Sequence, residues 1–281
     1  MKESYLGSVR FFRHLIILII LIMLISPWGI IYWQSKRLAK LEDRVYNLEF
    51  AAETKNSRHK TKHFSHFEQP KLTKKVAYLT FDDGPSEITD EILDILKEKN
   101  IKATFFVTYH GNYSAIKTLR RIVNEGHMVG LHSYTHQYDL IYSSLDAFTK
   151  DIKKLNAYIV NSTGYVPLLY RFPGGSNNRK LSRQLFYRIK DELNKRGYIY
   201  FDWNVSSADS TPNTYVSVNE IINNCYYGAR YQQIAIILMH DTSIKKQNVV
   251  LALPTLIDKL KNDGFSFKTL STDTPQFVFR K

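Results

Sequence analysis

The chain has 281 residues, of which 44% are hydrophobic, and a net charge of +13. This length allows one large domain or two small ones. The single cysteine, Cys225, excludes an intramolecular disulfide and any metal site made of several cysteines. The charge divides into +7 for residues 1–74 and +6 for the remainder, where no basic stripe is interleaved with aromatic residues. We therefore expect no nucleic-acid partner.

The N-terminal part of the chain contains an apolar segment, residues 15–33, behind a short flank of residues 1–14. Eleven successive Leu, Ile and Met residues begin it, and its length is close to the ~20 residues that cross a bilayer core. Aromatic residues near its outer end suit the membrane interface, namely Trp28, Tyr32 and Trp33. A cleaved signal peptide is the alternative, but residues 26–29 make a poor cleavage site. We predict an uncleaved, single-pass transmembrane anchor.

Residues 34–74 are polar and predict a helical stalk followed by a basic linker. Apolar residues recur in the stalk at spacings of three and four, at Leu38, Leu41, Val45 and Leu48. A seam of about two heptads is too short to fold alone. One interpretation is a weak dimer of anchored chains through residues 38–48, and the other is a stalk that simply continues the membrane helix.

From residue 76 onward, short apolar runs alternate with amphipathic helical stretches. Seven predicted strands cover residues 76–81, 103–107, 127–131, 168–172, 198–203, 234–239 and 266–270. Six predicted helices lie between them, at residues 89–99, 114–125, 144–161, 182–196, 216–227 and 249–262. This order predicts an α/β fold with a parallel sheet. Because polar clusters follow successive strands, we expect a closed or nearly closed barrel with its chemistry at one end.

Four polar clusters carry the chemistry: residues 80–85, 132–136, 171–175 and 238–241. Together they supply two adjacent carboxylates, two histidines four positions apart, a guanidinium and a further imidazole. If residues 133–136 begin a helical turn, both histidines lie on one face and reach one ion. Two nitrogens and a carboxylate leave coordination positions open, as catalytic zinc sites do. The set predicts a hydrolytic metal site, although paired acids at a turn are also common as solvated caps.

In their order along the chain and in their residues, the four clusters resemble the motifs of the polysaccharide deacetylase family, the NodB-homology enzymes of carbohydrate esterase family 4. The resemblance covers roughly residues 75–271 and implies a distorted (β/α) barrel of seven or eight parallel strands within residues 75–281. It also implies that Asp83, His132 and His136 bind a divalent metal. Zn²⁺ is the first expectation, with Co²⁺ or another divalent ion as alternatives.

The resemblance further implies catalytic roles. Asp82 is expected to be the general base, oriented and kept ionised by Arg171, and His240 the general acid. Many family members carry an acid at the position of Ser206 as well as at that of Asp209. Because only Asp209 remains in this chain, it is the candidate partner of His240.

Candidate substrate contacts lie in or near the same clusters. By resemblance, Pro173 walls the pocket, and Leu238, one strand period before His240, lines the site of the acetyl methyl group. Trp203 offers a flat face to a sugar ring, with packing in the core as its alternative role. A backbone N–H near Tyr170 or Tyr109 is expected to stabilise the oxyanion.

The resulting hypothesis is a metal-dependent hydrolase that removes N-acetyl groups from N-acetylglucosamine-type residues of a cell-wall or surface polysaccharide. Peptidoglycan is the favoured polymer, ahead of a secreted poly-N-acetylglucosamine, and it would place the catalytic domain outside the cell membrane. Two alternatives stay open. One is an esterase that removes O-acetyl groups with the same site, and the other is a carbohydrate-binding barrel that has lost catalysis.

Overall fold

A computed structural model of the protein describes residues 75–210, 215–242 and 247–280. The predicted anchor (15–33), the stalk and linker (34–74) and the dimer seam (38–48) lie outside the described residues. Within the described part of the chain, no helix is both long and apolar enough to span a membrane.

The described residues form one eight-stranded sheet in which every pairing is parallel. The strands are β1 (Val76–Asp82), β2 (Thr104–Thr108), β3 (Met128–Ser133), β4 (Leu169–Tyr170), β5 (Ile199–Tyr200), β6 (Val205–Ser206), β7 (Ile234–His240) and β8 (Ser266–Phe267). Their order is β5-β4-β3-β2-β1-β7-β6, and β8 pairs with the first residues of β1. The predicted parallel sheet is confirmed. The sequence pattern missed β6, which closely follows the predicted strand 198–203 and contains a single apolar residue, Val205.

Seven helices are described in these ranges. They are α1 (Glu87–Glu98), α2 (Tyr113–Asn124), α3 (Tyr138–Ile141), α4 (Leu145–Thr163), α5 (Arg183–Lys195), α6 (Val218–Ala229) and α7 (Gln247–Asn262). The six predicted helices are present, each with both ends within two residues of the prediction. Four begin at a side chain that accepts a hydrogen bond from the third helical N–H, at Asn112, Ser144, Ser182 and Ser217. The pattern did not predict α3, since a single turn shows no helical period.

The sheet curls so that one of its faces encloses a shared interior. A single buried cluster contains Val76, Tyr78, Phe106, Leu169, Phe201, Ile236 and Leu270. Strands as far apart in the sheet order as β4 and β7 contribute to one cluster only if the sheet bends round. In β1, strand alternation places Thr80 and Asp82 on the same face as Tyr78. On this face of β1, the apolar cluster at Tyr78 is therefore followed by the polar side chains of Thr80 and Asp82 toward the carboxyl end of the strand.

The sheet does not close into a complete barrel. Strands β5 and β6 stand at the two ends of the order, and no pairing joins them among the described residues. The free edge of β5 is taken instead by the C-terminal segment, residues 276–280. The Asp202 N–H donates to the Phe277 carbonyl oxygen at 2.9 Å, and Gln276 Nε2 donates to the backbone carbonyl oxygen of Tyr200 at 2.9 Å. The predicted barrel is thus corrected to a curled, open sheet, because these hydrogen bonds use the edge that closure would need.

Asp202 fastens the C-terminal segment to the end of β5. Its fully buried carboxylate accepts hydrogen bonds from the Ser176 N–H at 2.9 Å, the Ser176 hydroxyl at 2.5 Å and the Phe279 N–H at 2.7 Å. Three donors from two distant parts of the chain therefore converge on one side chain.

We expect Asp202→Ala to lower the free energy of unfolding by about 2–4 kcal/mol, because the buried Ser176 N–H and hydroxyl and the part-buried Phe279 N–H lose their acceptor. Urea unfolding followed by circular dichroism measures the change. The matched control is Asp273→Ala, which alters an exposed acid in the same C-terminal region and is expected to change stability by less than ~0.5 kcal/mol. Equal midpoints for the two variants would contradict this role of Asp202.

Candidate active site and metal centre

The strands that carry the candidate site end next to each other. β1 and β7 run in register, with Asp82 opposite His240, and β2 flanks β1 on its other side. Parallel strands present their carboxyl ends at one edge, so residues that follow β1, β3, β4 and β7 share one rim. Asp83 leaves β1 with a φ of 77°, in the left-handed region that Asp tolerates better than most residues. This turn separates the two neighbouring carboxylates.

Three side chains converge as metal ligands would. Asp83 Oδ1 lies 3.2 Å from His132 Nε2 and 3.1 Å from His136 Nε2. Their ligand atoms all lie within 4.8 Å of one another. Burial alone would raise the pKa of Asp83, but the two imidazoles of His132 and His136 outweigh it and hold that pKa well below its ordinary value. The site therefore favours an ionised carboxylate facing two imidazoles.

The hydrogen bonds around His132 fit a bound cation. Its Nδ1 lies 2.8 Å from the Arg171 carbonyl oxygen, and a carbonyl only accepts, so Nδ1 carries the proton. In the neutral ring, Nε2 then directs a lone pair at Asp83 Oδ1, a buried oxygen that lacks a hydrogen-bond donor among the described residues. Lone pairs that face each other repel unless a positive charge lies between them. The donor set, two imidazole nitrogens and one carboxylate oxygen, suits a divalent metal with open coordination positions.

The turn that carries His136 differs from the expected helical turn. His132 still belongs to β3, and helix α3 begins only at Tyr138. His136 has a φ of 52°, which is left-handed rather than helical. The two imidazoles meet at Asp83 because the chain folds back after β3, and the i,i+4 argument gave the right pair for a wrong geometric reason.

Asp82 and Arg171 form a fully desolvated ion pair. Arg171 Nη1 donates to Asp82 Oδ1 at 2.9 Å and to Thr80 Oγ1 at 2.7 Å, and the Arg171 side chain is 0% exposed. The contact uses one nitrogen and one oxygen, rather than the bidentate pairing that guanidinium and carboxylate often adopt. Asp82 Oδ2 is left directed at the metal ligands, 3.9 Å from His132 Nε2.

His240 and Asp209 form the second polar pair of the site. His240 Nδ1 lies 2.9 Å from Asp209 Oδ1, and the His240 N–H donates to Asp209 Oδ2 at 3.0 Å. Burial lowers the pKa of His240, but the hydrogen bond and charge of Asp209 outweigh it and raise that pKa to about 9. Ser206, where many family members carry an acid, is exposed and its hydroxyl accepts from the Ala208 N–H. Asp209 contacts His240 without help from that position.

Two of the four expected substrate contacts lie beside these groups. Leu238 is one strand period before His240 on β7, pairs in register with Thr80, and is buried. Pro173 is buried, and its carbonyl oxygen accepts hydrogen bonds from Tyr142 Oη at 2.8 Å and Asn178 Nδ2 at 3.1 Å. These bonds fix the segment that follows Arg171.

The other two expected contacts pack in the core. The Tyr170 ring is 1% exposed and lies between Phe148 and Phe172, at centroid distances of 5.5 and 5.0 Å. The Tyr170 ring therefore serves packing, because β4 directs it toward helix α4. The expected oxyanion contact from a backbone N–H near Tyr170 or Tyr109 stays a prediction. Trp203 packs against the interior cluster and meets Phe279 edge-on at 5.0 Å, which favours its alternative role in packing.

Asp241 is a site residue whose role the sequence did not reveal. Its buried carboxylate accepts hydrogen bonds from the Gly84 N–H at 3.0 Å and from the Thr89 hydroxyl at 2.6 Å. The Asp241 backbone N–H donates to the backbone carbonyl oxygen of Asp82 at 3.1 Å. A Cβ at Gly84 would lie 2.1 Å from Asp241 Oδ2, so the turn after Asp83 requires glycine there. Burial raises the pKa of Asp241 to about 7. The only sequence signal was an acid directly after a buried strand.

Tyr138 also borders the site without having been predicted. Its ring meets the His136 ring edge-on at 5.4 Å, and its hydroxyl lies close to Gly174, where an added Cβ would approach it to 3.1 Å. Burial and the charges of Asp83 and Asp82 raise the pKa of this phenol. A neutral hydroxyl therefore stands between a metal ligand and the segment that follows Arg171.

Comparison with known proteins agrees with this arrangement. The family model described as polysaccharide deacetylase matches residues 69–188. The chain is 35% identical over 205 residues to the putative polysaccharide deacetylase YheN of Bacillus subtilis, covering 70% of this chain and 67% of that protein. It is 34% identical over 198 residues to a peptidoglycan-N-acetylglucosamine deacetylase of Bacillus cereus, covering 69% of each.

A solved structure is similar as well. The catalytic domain of peptidoglycan N-acetylglucosamine deacetylase from Eubacterium rectale superposes with a TM-score of 0.70 at 33% sequence identity. The match covers 77% of this chain and 97% of that domain. The curled parallel sheet is therefore shared over nearly all of the solved domain.

We expect Asp209→Asn to lower the pKa of His240 from about 9 toward the ordinary value of about 6.5, because the variant loses the charge that favours the imidazolium. An NMR titration of the His240 ring protons in the metal-free protein measures the shift. Asp273→Asn, at an exposed position, is the control. A His240 pKa unchanged by Asp209→Asn would show that another group sets it.

Proposed function

Because the chain belongs to the polysaccharide deacetylase family, we propose that it removes N-acetyl groups from N-acetylglucosamine residues of peptidoglycan. One observation carries this function: the metal-ligand triad Asp83, His132 and His136 lies beside Asp82 and His240, which end the adjacent strands β1 and β7. A ligand set, a carboxylate and an imidazolium are the groups that hydrolysis of an amide needs. Relatives named for activity on peptidoglycan N-acetylglucosamine support this choice of polymer.

The family uses a divalent metal, and we propose Zn²⁺ for this chain, with Co²⁺ as a substitute. Asp83, His132 and His136 would hold it. A divalent cation in such a site supplies Lewis-acid chemistry, polarising a carbonyl and acidifying water.

Asp82 is proposed as the general base. Arg171 donates to Asp82 Oδ1 and so orients the carboxylate, while Oδ2 is directed at the ligand triad. Oδ2 therefore takes the proton of the water that attacks the acetyl carbon. Arg171 acts as a hydrogen-bond donor only, and its guanidinium nitrogens also donate to Thr80 and to the carbonyl oxygens of Phe201 and Asp202.

His240 is proposed as the general acid. Nδ1 is held by Asp209, so Nε2 of the imidazolium is the nitrogen that donates a proton to the departing glucosamine amine. Leu238, on the same face of β7, offers an apolar surface for the acetyl methyl group. Acetate and a free amine result, and the amine adds positive charge to the polymer.

Acetate release from three substrates tests the function. We expect the full-length protein to release acetate from N-acetylated peptidoglycan fragments and more slowly from chitooligosaccharides. Faster release from O-acetylated glycans would make the chain an esterase. No release from any of them, with metal bound, would leave the carbohydrate-binding alternative and overturn the proposal.

We further propose that residues 15–33 anchor the chain in the cell membrane, with residues 34–74 as stalk and linker and residues 75–281 outside the cell. The apolar length and flanking aromatic residues support the anchor. An extracellular position follows from the proposed substrate. A weak dimer through residues 38–48 remains part of this proposal, supported by the apolar spacing alone.

Metal binding and proton transfer are expected to separate by mutation. His136→Ala should lose metal and turnover together. Asp82→Asn and His240→Ala should keep the metal and lose ~10²–10⁴-fold in rate, typical of a positioned acid or base. Elemental analysis after dialysis and acetate release measure the two properties, with Asp94→Asn, an exposed acid on α1, as control. Native rates in both acid–base variants would refute these roles.

Protease added to intact protoplasts tests the location. We expect cleavage of the C-terminal domain without lysis, with the full-length protein in the membrane fraction. An epitope tag after residue 281 reports the cleavage, and a cytoplasmic protein serves as the lysis control. A domain protected until lysis would exclude an extracellular position and, with it, peptidoglycan as substrate.

A further inference from the structure

Asp151, on helix α4, lies against the turn of residues 133–136, which carries the metal-ligand candidate His136. Asp151 is buried, with 7% of its surface exposed. Its Oδ2 accepts from the Ser133 hydroxyl at 2.8 Å and the Tyr134 N–H at 2.7 Å. Its Oδ1 accepts from the Thr135 N–H and the Thr135 hydroxyl, both at 2.9 Å. One carboxylate thus receives four hydrogen bonds from three successive residues.

The hydrogen bonds continue from Asp151 to the ligand itself. The Ser133 hydroxyl donates to Asp151 and accepts from the His136 N–H at 2.9 Å. His136 has a φ of 52°, a backbone conformation that costs a non-glycine residue of its size free energy. The chain of contacts from Asp151 through Ser133 holds this conformation in place.

Helix α4 provides a rigid support for the carboxylate. Its buried face includes Phe148, Ile152 and Leu155, so the position of Asp151 is set by the hydrophobic packing of a 19-residue helix. The geometry of His136 is therefore fixed by a regular element of the scaffold as well as by its own turn. Asp151 makes none of its hydrogen bonds to the imidazole rings.

We propose that Asp151 is the positioning residue of the metal centre: it pre-forms the turn 133–136 so that His136 meets Asp83 and His132. This inference rests on the proposed metal-dependent function. Without the carboxylate, two backbone N–H groups and two hydroxyls lose their acceptor, and the turn relaxes away from the left-handed conformation at His136. Metal binding must then restore that conformation, which lowers the affinity. Asn cannot replace Asp, because its NH₂ group would face N–H donors.

The test compares Co²⁺ affinity among full-length variants, by competition with a chelator and by the visible spectrum of the bound ion. We expect Asp151→Asn to weaken binding by ~10–100-fold, the range found for residues that support metal ligands. At saturating Co²⁺ its kcat should approach that of the unmodified protein, because the ligands themselves are unchanged. Asp146→Asn is the matched control, since Asp146 lies on the same helix, is exposed and pairs with the exposed Lys150 at 2.8 Å.

Two further variants decide the case if Asp151→Asn does not fold. Thr135→Val removes one of the four hydrogen bonds, and Ser133→Ala removes the link to His136. Each should weaken Co²⁺ binding severalfold, with far-UV circular dichroism unchanged. An unchanged Co²⁺ affinity in Asp151→Asn, or in both Thr135→Val and Ser133→Ala, would overturn the proposal. Weakened Co²⁺ binding in a protein that releases no acetate from any glycan would instead uphold Asp151 and reject the deacetylase function.

Discussion

The buried guanidinium of Arg171 is the interaction on which the rest of the site depends. Its nitrogens donate to Thr80 and Asp82 on β1, and to the carbonyl oxygens of Phe201 and Asp202 beyond β5. Removing a charge from water costs several kcal/mol unless its hydrogen bonds are replaced, and these acceptors replace them. Arg171 also stacks on the Phe106 ring at 4.2 Å. One side chain therefore links β1, β2, β4 and the end of β5 across the interior.

The same residue connects the two halves of the chemistry. The side chain of Arg171 holds Asp82, while its carbonyl oxygen accepts from His132 Nδ1 and so fixes the tautomer of a metal ligand.

Two other histidines show how the surroundings set the pKa of an imidazole. Burial, with the charges of Lys102 and Arg121, lowers the pKa of His127 to about 4, whereas Asp209 raises that of His240 to about 9. Only the second imidazole is ready to donate a proton near neutral pH.

Much of the fold and of the site could be predicted from the sequence, for identifiable physical reasons. Long helices show an amphipathic period and the strands β1 and β7 are continuous apolar runs, and the motif residues follow them directly. The strand β6 and the single turn α3 show neither signal. The left-handed turn at His136 depends on Asp151, which is 15 positions away in the sequence. Asp241 and Tyr170 show the same limit, since the direction of a side chain after or within a short strand depends on tertiary contacts.

The C-terminal segment on the edge of β5 limits how the chain can be shortened. Residues 276–280 satisfy the Asp202 N–H and the Tyr200 carbonyl oxygen, two backbone groups that would otherwise lack these partners at the sheet edge. A bare β edge is a template on which a second molecule can add a strand. Truncation before residue 276 would thus open a site for self-association and uncover the aromatic side chains that Phe279 now covers, Trp203 among them. Residues 276–280, remote in sequence from every catalytic group, therefore protect this edge from pairing with a second molecule.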